Sequence, residues 1–158
     1  MIWAMGAALC CVALGLNGAA EARMRLKRLE DGIESLQRMR LALEERQPLC
    51  SVLKSAGDGP VGRRLAETAR TLAREPLMTL PCAWEGTGAF TEEENAWWAE
   101  LMERLSSGML ESRCQTLEQG EKQLTWMLEK ARQKEERAQP LRRSLSGLGG
   151  LAVLLLLW

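Results

Sequence analysis

Apolar and polar positions divide the chain into three stretches. Residues 1–20 (MIWAMGAALCCVALGLNGAA) and 144–158 (SLSGLGGLAVLLLLW) carry no charged side chain, whereas charges recur every few positions between them. As helices rising ~1.5 Å per residue, the two apolar stretches reach ~30 Å and ~22 Å. The first matches a bilayer core. The second is shorter, and spans only by thinning the bilayer locally or by taking length from Leu141 onward. The pattern predicts transmembrane helices at 1–20 and 144–158 around a charged domain of residues 21–143.

Within that domain the period is helical. Leu26, Leu29, Ile33, Leu36 and Leu43 follow a 3-4 spacing with Met39 beside the seam, predicting a helix that runs out of the membrane as far as Pro48. Gly57-Asp58-Gly59-Pro60 is a turn, and Pro60 suits the first position of a helix whose stripe is Val61, Leu65, Thr68, Ala69 and Leu72 and which ends before Pro76. Pro76, Pro81, Gly86 and Gly88 break the next segment, leaving one helical turn at 81–85. Thr91-Glu92-Glu93-Glu94 is a capping box opening a helix with Trp97, Leu101, Met102 and Leu105 on one face, closed by Ser106-Ser107-Gly108. A last long helix carries Leu110, Cys114, Leu117, Leu124, Leu128, Ala131 and Ala138 on one seam, with Pro140 expected to break or kink it. Val, Ile, Phe and Tyr are too scarce for strands, so the fold class is all-α.

Charge placement orients the chain. The 21 basic and 21 acidic residues cancel, which removes any bulk attraction to nucleic acid. Arg23, Arg25, Lys27 and Arg28 follow the first span, and Lys130, Arg132, Lys134, Arg137, Arg142 and Arg143 precede the second, with no base beyond either. The positive-inside rule then places residues 21–143 in the cytoplasm, and Trp3 and Trp158 at the opposite interface. Ala20-Glu21-Ala22 has the look of a signal-peptidase site, but no basic segment precedes it and the bases that follow resist translocation. A lipoprotein box ending at Cys10 is weaker, since Leu9 stands where a small residue is wanted. Ala7, Cys11, Gly15 and Ala19 recur every four residues, a small-residue ridge along which a second membrane helix can approach closely.

Candidate chemistry is thin. No His is present, and the five cysteines are odd in number with no C-x-x-C spacing. A reducing compartment with buried or lipid-facing thiols is the simplest expectation, and no metal or cofactor site is predicted. The Glu92–Glu94 cluster caps a helix, and the glycines at 147, 149 and 150 lie in an apolar span, so neither supports catalysis or phosphate binding. An enzyme is not expected. Between Glu85 and Glu111 seven acids face one base, Arg104; between Lys54 and Arg74 five bases face two acids. These stretches either pair inside the domain or meet solvent and partners.

The order of these features resembles the stage III sporulation protein AB family. The resemblance is carried by Gly59-Pro60-Val61-Gly62 with Leu65 and the Ala66–Leu72 helix, Ala83-Trp84, the acidic start Thr91–Glu94, the Leu105…Gly108…Glu111…Gln115 run, and Arg143-Ser144-Leu145 entering a Gly-rich span. Ser106 or Ser107 stands where the family usually has Gly, Glu111 where it has the shorter acid, and Pro140 interrupts a normally Lys-rich approach. The resemblance implies a cytoplasmic helical bundle like that of the type II secretion F platform protein, in the mother-cell membrane around the forespore. It further implies, as partners, a cognate cytoplasmic secretion-type ATPase, other proteins of the stage III sporulation complex, the lipid bilayer and copies of itself. The residues expected to touch the ATPase are Glu92, Glu93, Glu100 and Glu103. Two other classes stand beside this one: a generic membrane-anchored helical adaptor or oligomeriser, and a secreted, tail-anchored helical protein left by signal cleavage.

Overall fold

A computed structural model describes the backbone of residues 2–75, 77–84 and 90–157, and the side chains of residues 20–138 apart from 76 and 85–89. Among the described residues six helices follow one another: α1 Ile2–Glu44, α2 Leu49–Lys54, α3 Pro60–Arg74, α4 Leu80–Trp84, α5 Glu92–Ser107 and α6 Leu110–Leu157. No strand occurs among the described residues. The chain forms two compact units, Arg28–Trp126 and the pair Met1–Lys27 with Met127–Trp158. Among the described residues no helix is long and apolar enough to cross a membrane. The expected spans 1–20 and 144–158, with Ala7, Cys11, Gly15 and Ala19, lie outside the described side chains except for Ala20.

In the Arg28–Trp126 unit, the buried seam of α1 is Leu29, Gly32, Leu36, Met39 and Leu43, a 3-4 repeat. Met39 therefore lies on the seam rather than beside it, and Ile33 is only half-buried. Gly32 takes the position the apolar pattern assigns to a larger residue because three helices converge there. A β-carbon on it would sit 3.0 Å from Leu124 Cδ1 and 3.4 Å from Trp98 Cζ2. Gly120 does the same on α6, 3.1 Å from Leu101 Cδ1 and 3.3 Å from Leu36 Cδ1. The expected α6 seam is buried at Leu117, Leu124 and Leu128. It fails earlier, where Leu110 is exposed and Cys114 half-buried, and Pro140 does not end the helix.

The helix ends explain where the chain turns. α1 closes with Gln47 N–H donating to Ala42 O (3.1 Å) and Arg46 N–H to Leu43 O (2.9 Å), with Arg46 in the left-handed region at φ 59°. This is the Schellman arrangement with arginine where glycine is usual, and Pro48 follows two residues later. α2 has no sequence signal: Pro48 at its N-cap makes no side-chain cap, and six residues are too few for a period. Burial of Val52 and Leu53 holds it instead.

α3 begins at Pro60 as expected, yet Gly59 gives its N-terminus no side-chain cap. The cap comes from α1: Asp31 Oδ2 accepts from Val61 N–H at 2.6 Å. Gly59 makes room for that carboxylate, because a β-carbon there would collide with both Asp31 oxygens. Gly57, at φ 108°, turns the chain in a conformation that side chains rarely adopt. The α3 stripe is buried at Val61, Leu65, Thr68 and Ala69, while Leu72 is half-buried. In α5 the buried indole is Trp98, and Trp97 is half-buried with its Nε1–H donating to Gln123 Oε1 at 2.8 Å. The seam thus runs Trp98, Leu101, Met102 and Leu105, one residue off the expected start.

The cross-helix cap predicts a specific non-additivity. Asp31→Ala removes a charge-assisted cap and should cost about 1–2 kcal/mol in chemical unfolding followed by circular dichroism. Gly59→Ala should cost a similar amount, because it displaces Asp31, and should cost almost nothing more in the Asp31→Ala background. Additive losses would show that the two residues act independently.

Candidate partner-contact face

The acidic start of α5 is built from its cap. Thr91 Oγ1 accepts from Glu94 N–H at 3.3 Å, and Glu94 Oε2 accepts from Thr91 N–H at 3.2 Å, the reciprocal pair that the sequence predicts. Three carboxylates in the first turn also suit the positive end of the helix dipole. They do not share a fate: Glu92 and Glu93 are exposed, whereas Glu94 is 8% exposed and ion-paired with Arg28 at 3.5 Å.

Behind this turn lies an aromatic and cationic cluster. Trp84, 2% exposed, stands 5.2 Å from Trp98 and 5.6 Å from Phe90 between ring centroids. Arg28 lies 5.8 Å over the Phe90 ring and Arg64 5.3 Å over Trp84. The Arg64 guanidinium also donates to the Trp84 carbonyl and stands 3.7 Å from Glu67. Burial holds its pKa below the ordinary arginine value, with Glu67 opposing that shift. The sequence sets Arg28 among the bases that follow the first apolar stretch and Arg64 in a stretch that either pairs inside the domain or meets solvent, and it singles out no role for Asp31. The available signal was Arg64 falling on the Val61, Leu65 and Thr68 face of α3.

All four expected contact residues are exposed on α5: Glu92, Glu93, Glu100 and Glu103. At 3.6 residues per turn they fall within an arc of about 100°, opposite the arc holding Glu94, Trp98, Leu101, Met102 and Leu105. The buried face of α5 is taken up by the bundle, so the carboxylate arc is the one it leaves open. Glu100 accepts from Arg104 Nη2 at 2.5 Å, an exposed (i, i+4) pair of small worth. The stretch 54–74 holds its described ion pair locally, between Arg64 and Glu67.

The cysteine expectation needs correction. Cys50 and Cys82 are exposed and Cys114 is half-buried, all as free thiols, while Cys10 and Cys11 lie outside the described side chains. Each exposed thiol falls on a short helix, α2 or α4, whose buried residues are its neighbours in sequence. Among the described residues, no group of His, Cys, Asp or Glu could hold a metal ion.

The chain belongs to the stage III sporulation protein AB family, whose model matches residues 1–158. It is therefore a sporulation protein. No curated protein and no solved structure matches it.

The first turn of α5 should separate folding from surface chemistry. Glu94→Ala removes both a capping bond and the carboxylate that pairs with Arg28, and should cost about 2–4 kcal/mol. Glu92→Ala and Glu93→Ala should each cost under about 1 kcal/mol, the worth of a charge at a helix N-terminus. Equal losses at all three positions would refute the inward role of Glu94.

Proposed function

We propose that this chain is a non-enzymatic platform component of a secretion-like transenvelope complex in endospore formation. It is anchored in the mother-cell membrane around the forespore by helices at 1–20 and 144–158. Residues 21–143 lie in the cytoplasm and couple a secretion-type ATPase to the membrane assembly. Family membership over the whole chain supports the sporulation setting. The observation that carries the contact is the carboxylate arc of Glu92, Glu93, Glu100 and Glu103, displayed on a helix whose other face is locked into the bundle. An array of one sign on a held helix suits a basic surface on a partner, because such charges steer encounter and fix orientation.

α1 and α6 each run without interruption from one compact unit into the other. A push received at α5 passes to them through Gly32 and Gly120, where the helices stand too close to slip past one another without repacking. That is the sense in which the chain is a platform rather than a tether.

Binding kinetics test the contact. Glu92→Lys with Glu93→Lys should slow association with the ATPase about tenfold at low ionic strength and flatten its salt dependence, with helix content preserved. An unchanged on-rate at low salt would exclude the arc as the docking surface. Sidedness has its own assay, because Cys50 and Cys82 are exposed native thiols. With Cys10 and Cys11 replaced by alanine, intact growing cells should leave them unlabelled by an impermeant maleimide until permeabilised. Ready labelling from outside would overturn the cytoplasmic placement.

A further inference from the structure

We infer that the segments 21–27 and 137–143 form a collar that binds anionic phospholipid headgroups. The proposal rests on residues 1–20 and 144–158 spanning the bilayer, and names the lipid class that this anchoring selects. The charge balance of the chain is zero only as a sum. The unit made of Met1–Lys27 and Met127–Trp158 contains nine bases and four acids, whereas Arg28–Trp126 contains twelve bases and seventeen acids. The basic excess thus belongs to the unit that contains both expected spans.

Distance along the helices sharpens this. α1 and α6 are helical through both segments, so each residue adds ~1.5 Å from the end of its span. Arg23, Arg25 and Lys27 stand at ~5, ~8 and ~11 Å, and Arg143, Arg142 and Arg137 at ~2, ~3 and ~11 Å. Glu21 is the one acid of the sequence in those two segments. Lys134, Arg132 and Lys130 follow at ~15, ~18 and ~21 Å. The potential of a charged membrane surface decays over a Debye length of ~8–10 Å at physiological salt. Arg23, Arg25, Arg142 and Arg143 stand within that length, Lys27 and Arg137 just at its limit, and Lys130, Arg132 and Lys134 well beyond it, where the potential is weakest.

Arg28, the next base on α1, is committed to Glu94 and Phe90. Arg25, Lys130 and Arg132 take part in contacts of their own, but a guanidinium with five donors can keep one partner and still reach a phosphate. The bases of 21–27 outnumber the single acid there by three to one. Local ion pairing within that segment cannot neutralise them.

The test is lipid selectivity of the full chain in phosphatidylcholine vesicles doped with spin-labelled phosphatidylglycerol or spin-labelled phosphatidylcholine. The motionally restricted fraction should favour phosphatidylglycerol by about threefold or more. The sixfold variant R23Q/R25Q/K27Q/R137Q/R142Q/R143Q should bring that ratio to near unity, and K130Q/R132Q/K134Q should leave it unchanged. A native chain without preference, or a distal triple variant that loses it as fully as the sixfold one, overturns the collar. If the sixfold variant fails to insert, salt decides on the native chain: at about 1 M the Debye length shrinks to ~3 Å, and selectivity that survives it overturns the proposal. Release of the native chain by alkaline carbonate would overturn the anchoring reading and the collar together. Insertion without selectivity overturns the collar alone.

Discussion

Where Asp31 and Gly32 lie side by side on α1, the helix touches three others at once. Asp31 reaches the Val61 amide and caps α3. Gly32, with no side chain of its own, lets Leu124 of α6 and Trp98 of α5 close over the same spot. One turn earlier, Arg28 pairs with Glu94 and lies over Phe90. A single stretch, Arg28–Gly32, thus sets the start of α3, the start of α5 and the depth at which α6 packs. These contacts are polar or steric rather than greasy, so they specify geometry more than they supply bulk stability. Removing one partner of such a buried pair is costly, while replacing both by apolar groups can be neutral. The apolar seams hold the unit together; this stretch decides which arrangement they hold.

That distinction explains what the sequence could and could not disclose. Helices with a period or a local cap were legible: α3 from Pro60, α5 from its Thr91–Glu94 box, the turn of helix at Pro81, and the length of α1, whereas α6 runs on through Pro140. What stayed hidden depends on another part of the chain. α2 has neither period nor cap and exists because Val52 and Leu53 are buried. Glycine at a seam position reads as a weak helix former until the neighbour that needs its space is known. Adjacent Trp97 and Trp98 offer the same hydrophobicity; Trp98 is the buried one because it falls in the middle of the Leu101, Met102 and Leu105 arc, on the side where Glu94 turns inward to Arg28.

The family match agrees with the resemblance that short motifs suggest, and the structure gives those motifs physical reasons. Gly59-Pro60-Val61 is where a carboxylate from α1 must reach a backbone amide. Pro60 has no amide hydrogen to offer, so the first available donor is Val61. Gly62 follows because a β-carbon there would meet the Gly57 carbonyl. Ala83-Trp84 places an indole against Trp98 and under Arg64. The charged residues that meet these motifs look like ordinary surface charges in sequence, yet in the fold Arg64 is buried and Asp31 half-buried.

The same logic constrains the acidic arc. Glu94 must point inward, since its side chain closes the capping box and meets Arg28. On a helix turning about 100° per residue, that requirement fixes every other position of α5. Glu100 and Glu103 then have nowhere to go but the open side, and Glu92 and Glu93 fall at its two edges. The arc is a consequence of how α5 is held rather than a separate design. A partner that recognises it reads the position of the whole helix, and through Arg28 the position of α1 as well. One carboxylate, Glu94, thus ties the fold of α5 to the chemistry of its open surface, while its neighbours Glu92 and Glu93 stay exposed.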